Sequence, residues 1–242
     1  MRVSVVIPAL NEAASIGFVV GEMPWHLIDE CIVVDNGSTD GTGSIAAAAG
    51  ARVITAPQGY GSACMAGVAA AQATSDVIVF MDGDGADVIT HLPDLLGPIE
   101  RGEQDFVLGT RLSKYQREPG SMLFSQVFAA WFVGTLLRLR FPHGFRYTDM
   151  AAFRAVRRTS LDALHMQERT FGWNLEMQIR AIQAGLRIAE IPVHYRCRYG
   201  GVSKVSGDFR ASLKAAGRIL QVLFRVSTQS RRPVPGHTTT SK

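Results

Sequence analysis

Val77-Ile78-Val79-Phe80-Met81 runs straight into Asp82-Gly83-Asp84-Gly85-Ala86-Asp87, and this junction decides how the rest of the chain is read. An unbroken apolar run with β-branched residues reads as a strand buried on both faces, and the acids after it mark where the strand leaves the core. Past a strand end the pleat breaks, so carboxylates two residues apart, Asp82 and Asp84, can converge on one hard divalent cation. The flanking glycines let a diphosphate approach the backbone closely. The plainer reading of the same residues is a solvated Gly/Asp turn.

The same grammar recurs upstream. Val3 to Ile7 leads through Pro8-Ala9-Leu10-Asn11 to a helix from about Glu12. Cys31 to Asp35 leads through Asn36-Gly37-Ser38-Thr39 to a helix beginning near Asp40, and Arg52 to Thr55 leads through Ala56-Pro57-Gln58-Gly59-Tyr60-Gly61 to one near Ser62. Short β-branched runs alternating with Ala-rich helices are the signature of parallel strands joined by crossover helices, an α/β fold. In an open sheet of this kind the ligand crevice lies at the carboxyl ends of the strands, where all four of these loops fall.

Downstream the chain predicts a helix over Leu92–Arg101 and a strand over Phe106–Gly109 leading to Arg111. An apolar segment, Met122–Leu137, and the stretch Thr148–Val156 follow. A helix near Trp173–Ala184, a strand over Leu186–Val193 and a last helix over Phe209–Phe224 complete the pattern. The tail from Ser227, rich in Ser, Thr and Pro, has little to bury and is expected to be disordered.

With 242 residues, 47% of them apolar, the chain can bury one large core and is neither disordered nor fibrous. The formal charge of +4 conceals a division: up to Thr110 three cations face fourteen acids, and from Arg111 onward 22 cations face seven. The halves have different electrostatic tasks. Asp35 closes an almost wholly apolar run, Cys31-Ile32-Val33-Val34, so its carboxylate needs a partner there, and it can accept a hydrogen bond from a base N–H. Ser38 or Asp40 is expected to cap the following helix.

Three cysteines, Cys31, Cys64 and Cys197, are too few and too scattered for a disulfide framework or a zinc knuckle, which points to a reducing, cytoplasmic setting. The six histidines show no ligand spacing. No secretory leader pattern follows Arg2, and the Met122–Leu137 segment, roughly 16 residues, falls short of the ~18 to 20 that span a bilayer. In the last helix Arg210, Lys214, Arg218 and Arg225 share the surface with Leu213, Ile219, Leu220, Leu223 and Phe224. Such a basic amphipathic helix can lie on an anionic bilayer, with Phe124, Phe128, Trp131 and Phe132 beside it; it reads equally as a domain helix with a solvated cationic face.

Taken together, VVIPALNEA, VVDNGSTDGT, GYGSACMAG and MDGDGAD, in this order and at these spacings, resemble the nucleotide-binding half of family 2 glycosyltransferases of the GT-A fold. LGTR, TDMAAFRAV, FGWNLEMQIRAIQAGLRIAEIPVHYR and GGVSKVSG extend the likeness to the branch of dolichyl-phosphate mannose and glucose synthases, covering residues 2 to about 225. The resemblance implies a Rossmann-like mixed sheet flanked by helices, in one domain over 1–226 whose nucleotide half is 1–110 and acceptor half 111–226, with 227–242 as the tail. It implies an inverting hexosyltransferase using a nucleotide-sugar, UDP-glucose or GDP-mannose, with Mg2+ or Mn2+.

Carried onto this chain, Pro8, Ala9 and Glu12 line base and ribose, and Asp35 reads the base edge. Gly59 and Gly83 belong to the same donor site. Asp82 lies by the ribose or diphosphate and shares the cation with Asp84, and Arg111 meets the diphosphate. Arg154 and Glu176 are candidates for sugar and phosphate contacts. If the acceptor is a polyprenyl phosphate, already anionic near neutral pH, it needs cations more than a base, and Arg154, Arg196, Arg198 and Lys204 are the candidates. If it is a hydroxyl, Asp149 is the candidate proton acceptor.

Departures from the branch are Ala86, where a polar metal contact is common, Asn36 for a second acid, the lysine-free Gln58-Gly59-Tyr60-Gly61, and Met150-Ala151-Ala152 in the acceptor segment. The D-G-D-G-A order tilts the donor toward UDP-glucose. A peripheral site on the inner membrane face fits a lipid acceptor, and nucleic acid is not an expected partner. Haloacid-dehalogenase phosphatases share an apolar strand with DxDG, but no adjacent acids follow Arg111 to complete their chemistry. A sugar-nucleotide pyrophosphorylase is disfavoured because no Gly- and Arg-rich loop follows the first strand. A nucleotide-binding module without catalysis is the remaining alternative.

Overall fold

A computed structural model describes residues 1–112, 118–121, 134–135, 138–139, 149–200, 217, 221–223 and 225–226. Most of Met122–Leu137 and Phe209–Phe224, with Lys204 and the tail from Ser227, lie outside the described residues. Among those described, seven strands form one sheet in the order β3-β2-β1-β4-β6-β5-β7. The elements in chain order are β1 (Val3–Ala9), α1 (Ile16–Gly21), β2 (Glu30–Asp35), α2 (Thr42–Ala48), β3 (Arg52–Thr55), α3 (Tyr60–Ala70) and β4 (Val77–Phe80). A 3-10 turn (Ile89–His91), α4 (Leu92–Glu100), β5 (Phe106–Thr110), β6 (Arg154–Arg157), α5 (Arg158–Ala163), α6 (Trp173–Gln183) and β7 (Ile188–Pro192) follow.

The first four strands run parallel, as the repeat of short strands and crossover helices requires. The chain moves outward through β1, β2 and β3, then returns to add β4 on the other side of β1. That reversal opens a crevice between the carboxyl ends of β1 and β4, and the register puts Val3 opposite Val77 and Val6 opposite Phe80, so that Ala9 and Gly83 end level. The fifth strand does not join β4. Instead β6 enters between them, antiparallel to both, making the sheet mixed. This strand overlaps the stretch Thr148–Val156, to which the sequence assigns neither a strand nor a direction.

Strand alternation divides the core into two layers. Val3, Val5, Ile7, Val77, Val79 and Met81 face α1 and α4 on one side, while Val6, Ile78 and Phe80 face α3 and α6 on the other. Each such side chain, removed from water, contributes about 1.5–3 kcal/mol. Trp173 belongs to the second layer: it is 2% exposed and meets Phe80 edge-on at 6.2 Å.

Helix starts differ from expectation in two places. α1 begins at Ile16, because Glu12 to Ser15 form a turn in which the N–H groups of Ser15 and Ile16 donate to Glu12 O. α2 is capped by Gly41 in the left-handed region, not by Ser38 or Asp40. Asp40 instead accepts from the N–H of Ala13 and Thr42, and Ser38 Oγ accepts from the N–H of Asn11. These side chains tie the loop after β2 to the loop after β1, stiffening two walls of the crevice. Behind α6, Val222, Leu223 and Val226 pack on Leu175 and Ile179. Leu223 is therefore part of a core cluster, not surface available to a bilayer. None of the described helices is long and apolar enough to cross a membrane.

Candidate active site

The crevice is a cavity of about 930 Å³. The loops after β1, β2 and β3 line it with Pro8, Ala9, Leu10, Glu12, Asn36, Gln58, Gly59 and Tyr60. The loop after β4 adds Asp82, Gly83 and Asp84, and the second half of the chain adds Arg111 and Arg198. Met150, Ala152, Thr170, Phe171, Asn174 and Gln221 form the remaining wall. Acids from the first half of the chain and cations from the second thus line one space.

The acid loop is built tightly. Asp84 is 2% exposed; its Oδ1 accepts the N–H of Ala86 at 2.9 Å and its Oδ2 lies 3.0 Å from Arg198 Nη2. Asp82 Oδ1 accepts from the Tyr60 hydroxyl at 3.3 Å. Asp87 turns inward, is buried, and takes the N–H of Asp82 on Oδ2 at 3.0 Å, while its backbone bridges to Tyr195. Burial, then the nearby Asp84 charge, pushes the Asp82 carboxyl up to about 6. Burial, then Asp82, pushes Asp87 up to about 8. Asp82 and Asp87 thus hold their protons more firmly than free carboxyls, and Asp82 and Asp84, hard oxygen donors on the cavity wall, fit a divalent cation. Gly85 makes the turn possible: its φ is +79°, and a Cβ there would lie 3.0 Å from that of Tyr199.

On the cationic side Arg111 donates through Nε and Nη2 to the two oxygens of Asp149 at 2.9 and 2.8 Å, and it lies over the Tyr195 ring at 5.0 Å. Burial alone raises a carboxyl, but the Arg111 guanidinium outweighs it and holds Asp149 below the usual carboxylate range. A carboxylate so committed is a poor proton acceptor. Asp149 is also absent from the cavity lining, so the structure gives it to Arg111 and not to an acceptor hydroxyl.

Arg154 and Glu176 likewise lie behind the wall, each fully buried. Arg154 donates to the carbonyls of Ala151 and Asn174, bracing the Met150–Ala152 wall. Its burial pulls the guanidinium down to about 10. Glu176 accepts the N–H groups of Gln167 and Glu168 at 3.0 and 2.6 Å and pairs with Arg180, holding the segment that carries Thr170 and Phe171. That segment crosses the start of α3, where Gly59 has φ +135° and a Cβ would meet Arg169 O at 2.4 Å. Arg196 is turned outward onto Glu22 and the Phe18 ring. The expected sugar and phosphate contacts of Arg154, Glu176 and Arg196 are thus not formed on the cavity wall. Asp35 finds its partner in the N–H of Ser38 at 2.8 Å, and its neighbour Asn36 lines the cavity in its place.

Asp87, Tyr60 and Tyr195 escape the sequence reading; the first is legible as a third acid in the MDGDGAD run, the tyrosines have no signal of their own. His91 and His194 also meet, with Nε2 and Nδ1 2.7 Å apart. Among the described residues no group of three or more His, Cys, Asp or Glu is arranged to hold a metal without other donors. A cation at Asp82 and Asp84 therefore requires oxygens from water or a bound phosphate.

Residues 4–164 match the family model described as glycosyl transferase family 2. The chain belongs to glycosyl transferase family 2. This family 2 glycosyltransferase is 40% identical over 217 residues to an uncharacterized glycosyltransferase of Mycobacterium tuberculosis, covering 88% of this chain and 94% of that one. It is 32% identical over 224 residues to the undecaprenyl-phosphate mannosyltransferase of Micrococcus luteus, covering 86% and 88%. Among solved structures, glucosyl-3-phosphoglycerate synthase from Mycobacterium tuberculosis in complex with Mn2+, UDP-glucose and phosphoglyceric acid superposes with a TM-score of 0.76 at 25% identity, covering 97% of this chain and 82% of that one. The sheet and its crevice are accordingly those of the GT-A fold.

Proposed function

We propose that this glycosyltransferase moves a hexose from a nucleoside-diphosphate sugar, UDP-glucose or GDP-mannose, to the phosphate of a polyprenyl phosphate, with Mn2+ or Mg2+ as cofactor and with inversion at the anomeric carbon. The observation that carries the reading is the gathering of Asp82, Asp84, Arg111 and Arg198 on the wall of one cavity. Asp84 and Asp82 would hold the cation, which supplies positive charge to the departing diphosphate. Pro8, Ala9, Glu12 and Asn36 would bind base and ribose, with Gly59 and Gly83 on the same cavity wall.

Arg111 would meet the growing negative charge of the leaving group, held in place by Asp149. Arg154 and Glu176 act as positioning residues that fix the remaining wall. Among the described residues that wall carries Met150, Ala152, Thr170, Phe171, Asn174 and Gln221, and no carboxylate. An acceptor phosphate brings its own anionic oxygen and needs no base, so this wall favours phosphate attack. A lipid acceptor is further supported by the Micrococcus luteus relative, and the UDP-sugar and Mn2+ by the complex of the structural neighbour.

The reading is tested by incubating the protein with each donor, Mn2+ and either a short polyprenyl phosphate or phosphoglycerate, and weighing the products by mass spectrometry. A hexosyl-phosphate lipid, absent with EDTA, is expected. Transfer to phosphoglycerate instead would favour a soluble acceptor, and turnover of neither donor would favour a non-catalytic nucleotide-binding module.

A further inference from the structure

The two cavity arginines are held in different ways. Arg111 is gripped at both ends of its guanidinium edge by Asp149, with side chains 17% and 1% exposed, and withdrawing it would strand a buried carboxylate. Arg198 touches Asp84 through one contact of 3.0 Å, with 34% of its side chain exposed. Its backbone, however, is pinned. The N–H of Tyr199 donates to Asp84 O at 3.0 Å, that of Arg196 to Ala86 O at 3.1 Å, and the Tyr199 ring stacks on Phe18 with centroids 4.3 Å apart. The guanidinium can therefore swing while its root stays beside the acid loop.

Asp84 Oδ1 already accepts the N–H of Ala86, so Oδ2 is the oxygen best placed for a cation in the cavity, and Arg198 sits on it. We propose that Arg198 is an exchangeable stand-in cation: it neutralises Asp84 until the divalent ion arrives, then yields that oxygen and transfers to the diphosphate. The inference rests on the donor and cation reading above. Its consequence is thermodynamic. A divalent ion arriving alone must break the Arg198–Asp84 pair, whereas one arriving with a diphosphate leaves the displaced guanidinium a new anionic partner. Cation and nucleotide must then raise each other's affinity, by the same factor in both directions.

Binding of Mn2+ to the full chain, followed through the electron paramagnetic resonance of the free aqua ion, tests this without any turnover. In the absence of nucleotide, Arg198→Gln should bind Mn2+ about tenfold more tightly than the unaltered protein, the size of a typical coupling between linked sites. UDP should then raise Mn2+ affinity less in the variant than in the unaltered protein. Arg198→Lys keeps a competing charge and should stay close to the unaltered protein, which a purely structural role for the arginine does not predict. Circular dichroism establishes that each variant is folded. Equal or weaker Mn2+ binding by Arg198→Gln, or a Lys variant that behaves like the Gln variant, overturns the exchange. If Asp84→Asn binds Mn2+ as the unaltered protein does, the cation reading itself fails and the exchange falls with it.

Discussion

The two halves of the sheet reach the same cavity by different routes. In the parallel half, β1 to β4, each functional residue stands in the last two positions of a strand or within five positions beyond it, so its location follows from the strand itself. Pro8 and Ala9 close β1, Asn36 follows Asp35, and Asp82 to Asp84 follow Phe80 by two to four residues. In the mixed half the residues that matter are set by partners far away in sequence: Arg111 by Asp149, Arg198 by Asp84, and the 167–171 segment by Glu176. Local periodicity builds a rigid acid wall. Long-range ion pairs and buried hydrogen bonds build the cationic wall, which makes it the part with more than one arrangement open to it.

The sharpest break in this contrast is at Asp84. Asp84→Asn should lower kcat/KM for donor turnover on the order of 10³-fold, the scale of losing a main source of charge stabilisation at the leaving group, while leaving the fold intact because the asparagine keeps an oxygen to accept the N–H of Ala86. Steady-state kinetics with circular dichroism separates the two effects. At Asp149 the balance should reverse. Asp149→Asn leaves Arg111 without its counter-charge in a buried position and should cost about 3 kcal/mol in urea unfolding, with weaker donor binding as a consequence.

Next in size is a pH effect confined to the acid wall. Asp82 and Asp87 sit above the usual carboxylate value, at about 6 and about 8, so the folded chain holds protons that the unfolded chain releases. Without a cation their contribution falls as pH rises from about 4 through those values. A cation at Asp82 and Asp84 needs the Asp82 proton gone. Mn2+ affinity should therefore climb as pH rises toward about 6 and level off above it, by up to about tenfold per pH unit for the one proton released, measured by titration calorimetry in two buffers of different ionisation enthalpy. The smallest expected effect is at Tyr199. Tyr199→Ala removes the stack on Phe18 and should cost about 1 kcal/mol of stability, a figure typical of aromatic pairs.

The same contrast explains what could be read from the sequence. β1 to β4 were legible because β-branched runs and the loops that follow them carry local signals, and so were Asp82, Asp84, Pro8, Ala9 and Arg111 as cavity residues. Neither β6 nor its direction was, since nothing in Arg154–Arg157 marks a strand inserted antiparallel between β4 and β5. Arg154, Glu176 and Asp149 were legible as important residues but not as supports. Their chemistry suits a ligand as well as a neighbour, and only packing decides that Arg154 faces the carbonyls of Ala151 and Asn174. Asp87 shows the reverse case: a third acid in a motif already rich in them, whose inward turn depends on the bridge to Tyr195.

The most direct test of the account is proton NMR of the anomeric signal during turnover of an α-linked UDP-glucose or GDP-mannose with a polyprenyl phosphate. Growth of a β-linked hexosyl phosphate with Mn2+ present, and none with EDTA or in Asp84→Asn, is the predicted result. An α-linked product, or equal turnover after chelation, would contradict it.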